Sequence, residues 1–320
     1  MLTGVYCGIE SFSRPCKDVL HGLFYGLCQP ATPKSLGNKI MESLTAKLCA
    51  FARAWHSLQS DPTVFNDFLA FDMMGREEYE NVSRLILKRF PRESENSVEY
   101  FNRKYFLPIV LSRSRFAEDR VKLLARSGKI QYVICGAGVD TFSFRNKNPD
   151  VEVFELDLLP TQSYKKNRIQ ELKWNVSEHV HFVAVDFSKD SIVERLVANG
   201  FDRQMPTVIS ILGVSYYLPL SVFAETVRQF SEMASSGISI LFDYLQKDAL
   251  SNSVLELRKI VADCGETMAE GYLDLEVFEV LDRYGFKVDE FLGERALQQR
   301  YFLEENLRPF DSVRLIAAVK

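Results

Sequence analysis

The 320-residue chain predicts an α/β fold: a doubly wound, seven-stranded, Rossmann-like sheet with a C-terminal antiparallel hairpin and a helical N-terminal cap. Three observations predict it. Beyond Gly128, short β-rich apolar runs alternate with amphipathic stretches, the signature of parallel βαβ units. The last two runs are joined by a charged connection with no clear helical pattern, which suggests a hairpin at one sheet edge. Upstream of Gly128, apolar residues recur at helical rather than strand spacing.

In chain order, residues 1–40 carry Gly and Pro at close intervals (Gly4, Gly8, Pro15, Gly22, Gly26, Pro30, Pro33, Gly37) and read as an irregular N-terminal extension. Residues 41–127 form the expected helical cap. Ile40, Leu44, Leu48, Phe51 and Trp55 follow an i, i+4 rhythm, and further helices are expected over Glu77 to Phe90 and from Tyr105 to Ser127. Residues 128–320 form the α/β domain. Its expected strands are IQYVIC (130–135), VEVFEL (151–156), VHFVAV (180–185), TVISIL (207–212), ISILF (238–242), FKVDEFL (286–292) and VRLIAAV (313–319). Residues 246–275 are long enough to add a helical insertion over the end of the sheet that would carry a ligand.

Composition narrows the function. The chain is 47% hydrophobic and 26% charged, which excludes disorder and fibrous architectures. With 39 basic against 43 acidic residues and a net charge of −4, no basic stripe is present to grip nucleic acid or an anionic membrane surface. Neither a signal-peptide pattern nor an apolar run of membrane-spanning length stands out, so a soluble, cytoplasmic protein is expected. Six cysteines (Cys7, Cys16, Cys28, Cys49, Cys135, Cys264) form no C-x-x-C pair and read as reduced thiols. The four histidines are His21, His56, His179 and His181; His179 and His181 could share a strand face, but no third ligand or H-E-x-x-H frame accompanies them, so no metal is expected. Hydrolase and P-loop motifs are also missing.

The chemistry concentrates at strand ends. YVICGAGVDTFSFR runs from an apolar strand straight into Gly136, Ala137 and Gly138, followed by Asp140. Glycine at such a turn lets the backbone approach a ligand closely and leaves N–H groups free to bind it. Thr141 stands where a third Gly would complete the dinucleotide pattern, which tilts the reading away from a pyrophosphate cofactor. The next strand ends in Glu155 and Asp157, and Asp157 lies about 20 positions beyond Gly138, where an acid grips ribose hydroxyls. A solvated carboxylate at a strand end is the plain alternative. The third strand ends in Asp186 and Phe187, a carboxylate and a ring suited to an adenine.

GAGVDTFSFR, FELD and VAVDF together resemble the leucine carboxyl methyltransferase family. Upstream, TAKLCAFARAWHSLQSDPTVFNDFLAFDMMG (45–75) is similar to the family's N-terminal segment, and SRSRFAED (112–119) to its R-T-R-x-x-D-D stretch. The matches span about residues 45 to 320. The resemblance implies the methyltransferase variant of the doubly wound sheet and S-adenosyl-L-methionine as cofactor. It implies that Arg113 meets the methionyl carboxylate, with Arg115 as fallback, and that Gly136 and Gly138 line the amino-acid end. Asp157 would take the ribose, and Asp186 with Phe187 the adenine. The family's protein-phosphatase branch carries Glu before Gly after strand four, whereas this chain has Leu212 before Gly213. The small-molecule branch is therefore expected, and a C-terminal protein carboxylate as acceptor is put in doubt.

Tyr216 and Tyr217 follow, and either could face the transferred methyl or simply pack in the core. A carboxylate acceptor is already ionised at neutral pH and needs no general base, while an alcohol or phenol does, and no histidine stands out for that task. An O-methyltransferase acting on a carboxylate or acidic hydroxyl of a small molecule is thus the expected function. A nicotinamide dehydrogenase and a non-catalytic cofactor- or partner-binding module of the same fold are its rivals. Oligomeric state is open.

Overall fold

A computed structural model describes residues 44–59, 64–90, 97–186, 190–233, 237–248, 251–303 and 307–320. The N-terminal extension, with Cys7, Cys16, Cys28 and His21, lies outside the described residues, as do Ile40 and Phe187.

Seven strands form one sheet in the order β3-β2-β1-β4-β5-β7-β6. They are β1 (Ile130–Cys135), β2 (Val151–Asp157), β3 (Val180–Ala184), β4 (Thr207–Ile211), β5 (Ile238–Leu245), β6 (Lys287–Leu292) and β7 (Val313–Val319). The pairs β1·β2, β1·β4, β2·β3 and β4·β5 are parallel, and β7 runs antiparallel to both β5 and β6. Every residue of β1, β4 and β5 is buried, because helices cover both faces; strands so enclosed are largely apolar, and their few polar residues, Asp243 among them, are buried as well. The edge strand β6 is mostly exposed, carries Lys287, Asp289 and Glu290, and breaks register between Val288 and Glu290, features that discourage pairing with another edge. The order reverses between β1 and β4. In open α/β sheets, that reversal opens a crevice at the carboxyl ends of the two strands.

The cap comprises α1 (Leu44–Ser57), α2 (Ala70–Met74), α3 (Arg76–Arg89), α4 (Ser97–Phe101) and α5 (Leu107–Leu124). A single π-helical turn, Asn102–Phe106, links α4 to α5, and a 3-10 turn, Ala125–Ser127, leads to the sheet. Such π turns are rare and often lie at functional sites; this one directs Tyr105 and Phe106 into the cavity described below. Pro108 is the second residue of α5 and follows the π turn within a continuous helical run, so its ring removes one intrahelical N–H donor at that point.

The sheet domain adds α6 (Phe142–Arg145), α7 (Leu159–Glu171), α8 (Ile192–Ala198), the 3-10 turn Ser215–Tyr217, α9 (Leu220–Ser231), α10 (Asn252–Asp263), α11 (Asp274–Arg283) and α12 (Glu294–Tyr301). Among the described residues of the 246–275 insertion, α10 is the helix that lies wholly within it, and α11 begins at its end. The chain then returns through a parallel bridge between Gln246 and Tyr272, and the Ala269 N–H donates to the Tyr216 carbonyl at 2.7 Å.

Two expectations are corrected. The β6–β7 connection contains α12, whose sequence ERALQQRY buries only Leu297 and so shows almost no apolar periodicity. Strand β5 continues past Phe242 to Leu245, because Asp243 in its middle is fully buried with polar partners and does not end the strand. No helix among the described residues is long and apolar enough to cross a membrane.

Candidate active site

At the reversal between β1 and β4 lies a cavity of about 330 Å³, within the range of small-molecule sites. Its floor is the turn after β1. Gly136 and Gly138 have φ of 68° and 50°, a left-handed region that side chains avoid, so the turn requires glycine there. The Gly136 and Ala137 N–H groups both donate to the Leu156 carbonyl, and the Gly138 N–H donates to Asp157 Oδ2 at 2.6 Å. Asp157 Oδ1 accepts from the Leu158 N–H at 2.8 Å. Asp157 therefore both lines the cavity and fixes the glycine turn. Burial pushes its carboxyl above the usual range, against the pull of the two N–H donors and Lys165.

Opposite the turn stands Arg113, on α5. Its Nη1 is 3.4 Å from Asp243 Oδ2, and its Nη2 donates to Cys49 Sγ at 3.5 Å. Asp243 also accepts from the Gly213 N–H at 2.7 Å through Oδ1 and from the Tyr216 hydroxyl at 2.8 Å through Oδ2. One fully buried carboxylate thus ties α5, the turn after β4 and the 3-10 turn together. Burial disfavours the charged guanidinium, but Cys49, Asp243 and the two tyrosines outweigh it, so Arg113 is held fully protonated. Gly136, Ala137, Gly138, Asp140, Leu212 and Gly213 all line the same cavity. Tyr216 and Tyr217 do as well, and burial raises both phenols above their ordinary value, Asp243 adding to the effect at Tyr216 and Glu266 at Tyr217. Neither tyrosine is a base near neutral pH.

A second buried network lies beneath the turn. Asp67, 1% exposed, receives Arg53 Nε at 2.9 Å and Arg145 Nε at 3.1 Å, and accepts from the Thr141 hydroxyl. Arg145 Nη2 reaches Glu118 Oε1 at 2.6 Å, and Arg53 Nη2 donates to the Val139 carbonyl at 3.4 Å. Asp140 shares this field: burial opposes its ionisation, but Arg53, Arg145, Lys165 and the Phe142 N–H together hold its carboxyl below the usual range. The network joins α1, α5 and the loop at Asp67 to the glycine turn. Sequence reasoning missed Arg53, Asp67, Glu118, Arg145 and Asp243; the available signal was a lone acid inside an apolar strand, for Asp243, and charged residues on otherwise apolar cap segments.

Other expected residues lie elsewhere. Glu155 does not line the cavity; its carboxylate is buried, pairs with Lys165 of α7 and accepts from Ser143 Oγ at 2.5 Å. The cause is its position one pleat deeper than Asp157, under α7. Asp186 stands two residues beyond β3, beside the end of β2, outside the cavity lining, with its N–H on Asp190 Oδ2 at 2.9 Å. Arg115 is an exposed partner of Asp119 at 2.7 Å, so of the two arginines only Arg113 enters the cavity. His179 and His181 both meet Glu152, at 3.2 and 2.6 Å.

Comparisons with known proteins find relatives by sequence. The leucine carboxyl methyltransferase family model matches residues 46–231. A Bacillus subtilis (strain 168) protein named "Putative S-adenosyl-L-methionine-dependent methyltransferase YktD" is 31% identical over 298 residues, covering 87% of this chain and 98% of that protein. A Mycobacterium marinum protein named "Putative S-adenosyl-L-methionine-dependent methyltransferase" is 25% identical over 211 residues, 65% of this chain and 68% of its own length. A crystal structure of a "putative methyltransferase" from Thermobifida fusca YX overlaps with a TM-score of 0.49 at 15% identity, covering 88% of this chain and 98% of that one. The strand order, not that overlap, defines the fold. The family model and the Bacillus relative together establish the lineage: the chain belongs to the leucine carboxyl methyltransferase family of S-adenosyl-L-methionine-dependent methyltransferases.

Proposed function

We propose that the chain methylates the oxygen of a small-molecule acceptor, a carboxylate or an acidic hydroxyl, in the cavity between the glycine turn and Arg113. The observation that carries the reading is the meeting, at the reversal between β1 and β4, of a glycine turn, the Asp157 carboxylate and the Arg113 guanidinium around one cavity. S-adenosyl-L-methionine supplies an activated methyl on a sulfonium when bound.

The residues present fit that cofactor. Gly213 bears no side chain where one would collide with Arg113, an added Cβ falling 2.6 Å from Nη1, and this keeps the guanidinium at the cavity wall. A guanidinium suits a carboxylate because it offers two parallel donors. In this reading Arg113 orients the methionyl carboxylate, Gly136, Ala137 and Gly138 allow close approach of the amino-acid end, and Asp157 accepts from the ribose hydroxyls. Asp186, beside the end of β2, and Phe187 would contribute to the adenine end. Asp140 and Leu212 contribute wall. Glu155 is left out of the set, since its partners bury it.

The tyrosines have a positioning role. Both phenols are held protonated, and Tyr216 gives its proton to Asp243 as a hydrogen bond, so the pair shapes the reacting space without removing a proton. An acceptor carboxylate or acidic hydroxyl asks for no strong base. Alignment and exclusion of water are then what the chain contributes. Leu212, an apolar residue where the protein-phosphatase branch has Glu, supports a small molecule over a protein terminus. Incubation with methyl-labelled cofactor and a metabolite extract tests this: a labelled small product is expected, and label confined to protein, or none transferred, contradicts it.

A further inference from the structure

The cavity continues past Arg113 to a second set of walls. Ile109 stands one turn before Arg113 on α5, and with it come Tyr105 and Phe106 of the π turn, Leu257 and Val261 of α10, and Met268. The π turn and α10 are clasped to each other there. Lys104 Nζ lies 2.6 Å from Glu256 Oε2, and the Tyr105 hydroxyl donates to the same oxygen at 2.9 Å.

That clasp decides what the wall presents. Glu256 is half-exposed and does not line the cavity, so the Tyr105 hydroxyl is drawn away from the interior and its ring is what the cavity meets. The Tyr216 hydroxyl likewise goes to Asp243, which is also outside the lining. Thr45, Tyr217 and Glu266 bond among themselves. Behind the π turn, buried Phe101 stacks on Phe106 with 5.3 Å between ring centroids and meets Tyr105 at 5.6 Å, so both rings are backed by a third. Rings held in this way on one side and the aliphatic side chains of α10 on the other reward apolar area, while a body rich in hydroxyls would give up its water against methyl groups and ring faces.

We infer that the acceptor has an apolar, ring-bearing body, seated between the rings of the π turn and the aliphatic side chains of α10, with its reacting oxygen turned toward the cofactor end. This rests on the proposed methyltransferase site and adds the body of the acceptor to its reacting group. Sugar acids and polyols are excluded.

The compounds β-naphthoate and gluconate carry a carboxylate on an apolar and on a polar body of comparable size, and β-naphthol and sorbitol do the same for a hydroxyl. Each is titrated by calorimetry into the full chain saturated with S-adenosylhomocysteine, and into Leu257→Trp, which fills space beside α10. The wild-type chain is expected to bind at least one naphthalene compound roughly tenfold or more tightly than its polar counterpart, and Leu257→Trp to weaken that compound about tenfold. Polar counterparts that bind as tightly, no naphthalene compound bound at millimolar concentration, or an affinity unchanged in the variant overturns the inference. Met268→Trp, on the chain returning from α10, takes the place of Leu257→Trp if that variant does not fold, with the same loss expected. Failure of S-adenosylhomocysteine itself to bind the wild-type chain is a different result, and it strikes the proposed methyltransferase site instead.

Discussion

The Arg113 guanidinium occupies the space that a side chain at position 213 would need. An added Cβ on Gly213 would stand 2.6 Å from Nη1 and 2.9 Å from Cζ, and the residue has a φ of +73°. Gly213→Ala is therefore expected to cost about 1–2 kcal/mol in backbone conformation alone and to push Arg113 from the wall. Denaturant unfolding and a titration with S-adenosylhomocysteine check both effects: lower stability and weaker binding are expected together. Unchanged affinity would separate Arg113 from the cofactor.

Asp243 holds the other side of that arginine. Asp243→Asn preserves shape but leaves the guanidinium beside a neutral amide, and the loss of one partner of a buried pair costs roughly 3–5 kcal/mol. Asp67→Asn, beneath the glycine turn, is expected to cost a similar amount, because Arg53 and Arg145 both lie within hydrogen-bonding distance of its carboxylate. Urea midpoints of the two variants give the test, and a loss below about 1 kcal/mol in both contradicts the assignment of either acid as a hub.

The Asp157 carboxylate is predicted to take a ribose hydrogen bond while fixing the turn at Gly138. Asp157→Ala should lose about 1–3 kcal/mol of S-adenosylhomocysteine affinity. Isothermal calorimetry measures it, and an affinity equal to that of the wild-type chain rejects the role.

His56, buried at the end of α1, gives a pH dependence. Burial, aided by the charge of Arg103, lowers its pKa from 6.5 to about 4. Between those values an unfolded chain binds a proton that the folded chain refuses, so stability is full above pH 6.5 and falls as the pH drops toward 4. The loss is on the order of 3 kcal/mol, at about 1.4 kcal/mol per pH unit. Melting temperature against pH for the wild-type chain and His56→Phe is the measurement. The variant should lack this part of the slope, and parallel curves contradict it.

Much of the sheet was legible because buried strands covered on both faces are written as continuous apolar runs: the parallel β1 and the antiparallel β7 both lie where the pattern puts them. The glycine turn and Asp157 were legible as well, since a strand end followed by Gly136 and Gly138, with an acid about 20 positions on, is a local signal; Arg113, which also lines the cavity, was pointed to only by the family resemblance. What stayed hidden is long-range. Asp243 meets Arg113 across 130 positions, and Thr141 meets Asp67 across 74, pairings that depend on how the cap docks and leave no local pattern. Glu155 was misleading for a different reason: Lys165, which pairs with it, lies only 10 positions away, but it reaches the carboxylate through the fold-back of α7 onto the sheet, which leaves no local pattern. Helix α12 was hidden because an exposed helix needs little apolar periodicity.

The central claim is that the cavity between the glycine turn and Arg113 holds the cofactor. Calorimetric titration of S-adenosylhomocysteine into the wild-type chain and into Arg113→Lys, which keeps the charge but loses the paired donors, tests it most directly. One molecule bound per wild-type chain, with an affinity roughly tenfold weaker in the variant, is the predicted result. No binding to the wild-type chain, or identical binding by the two, would contradict it.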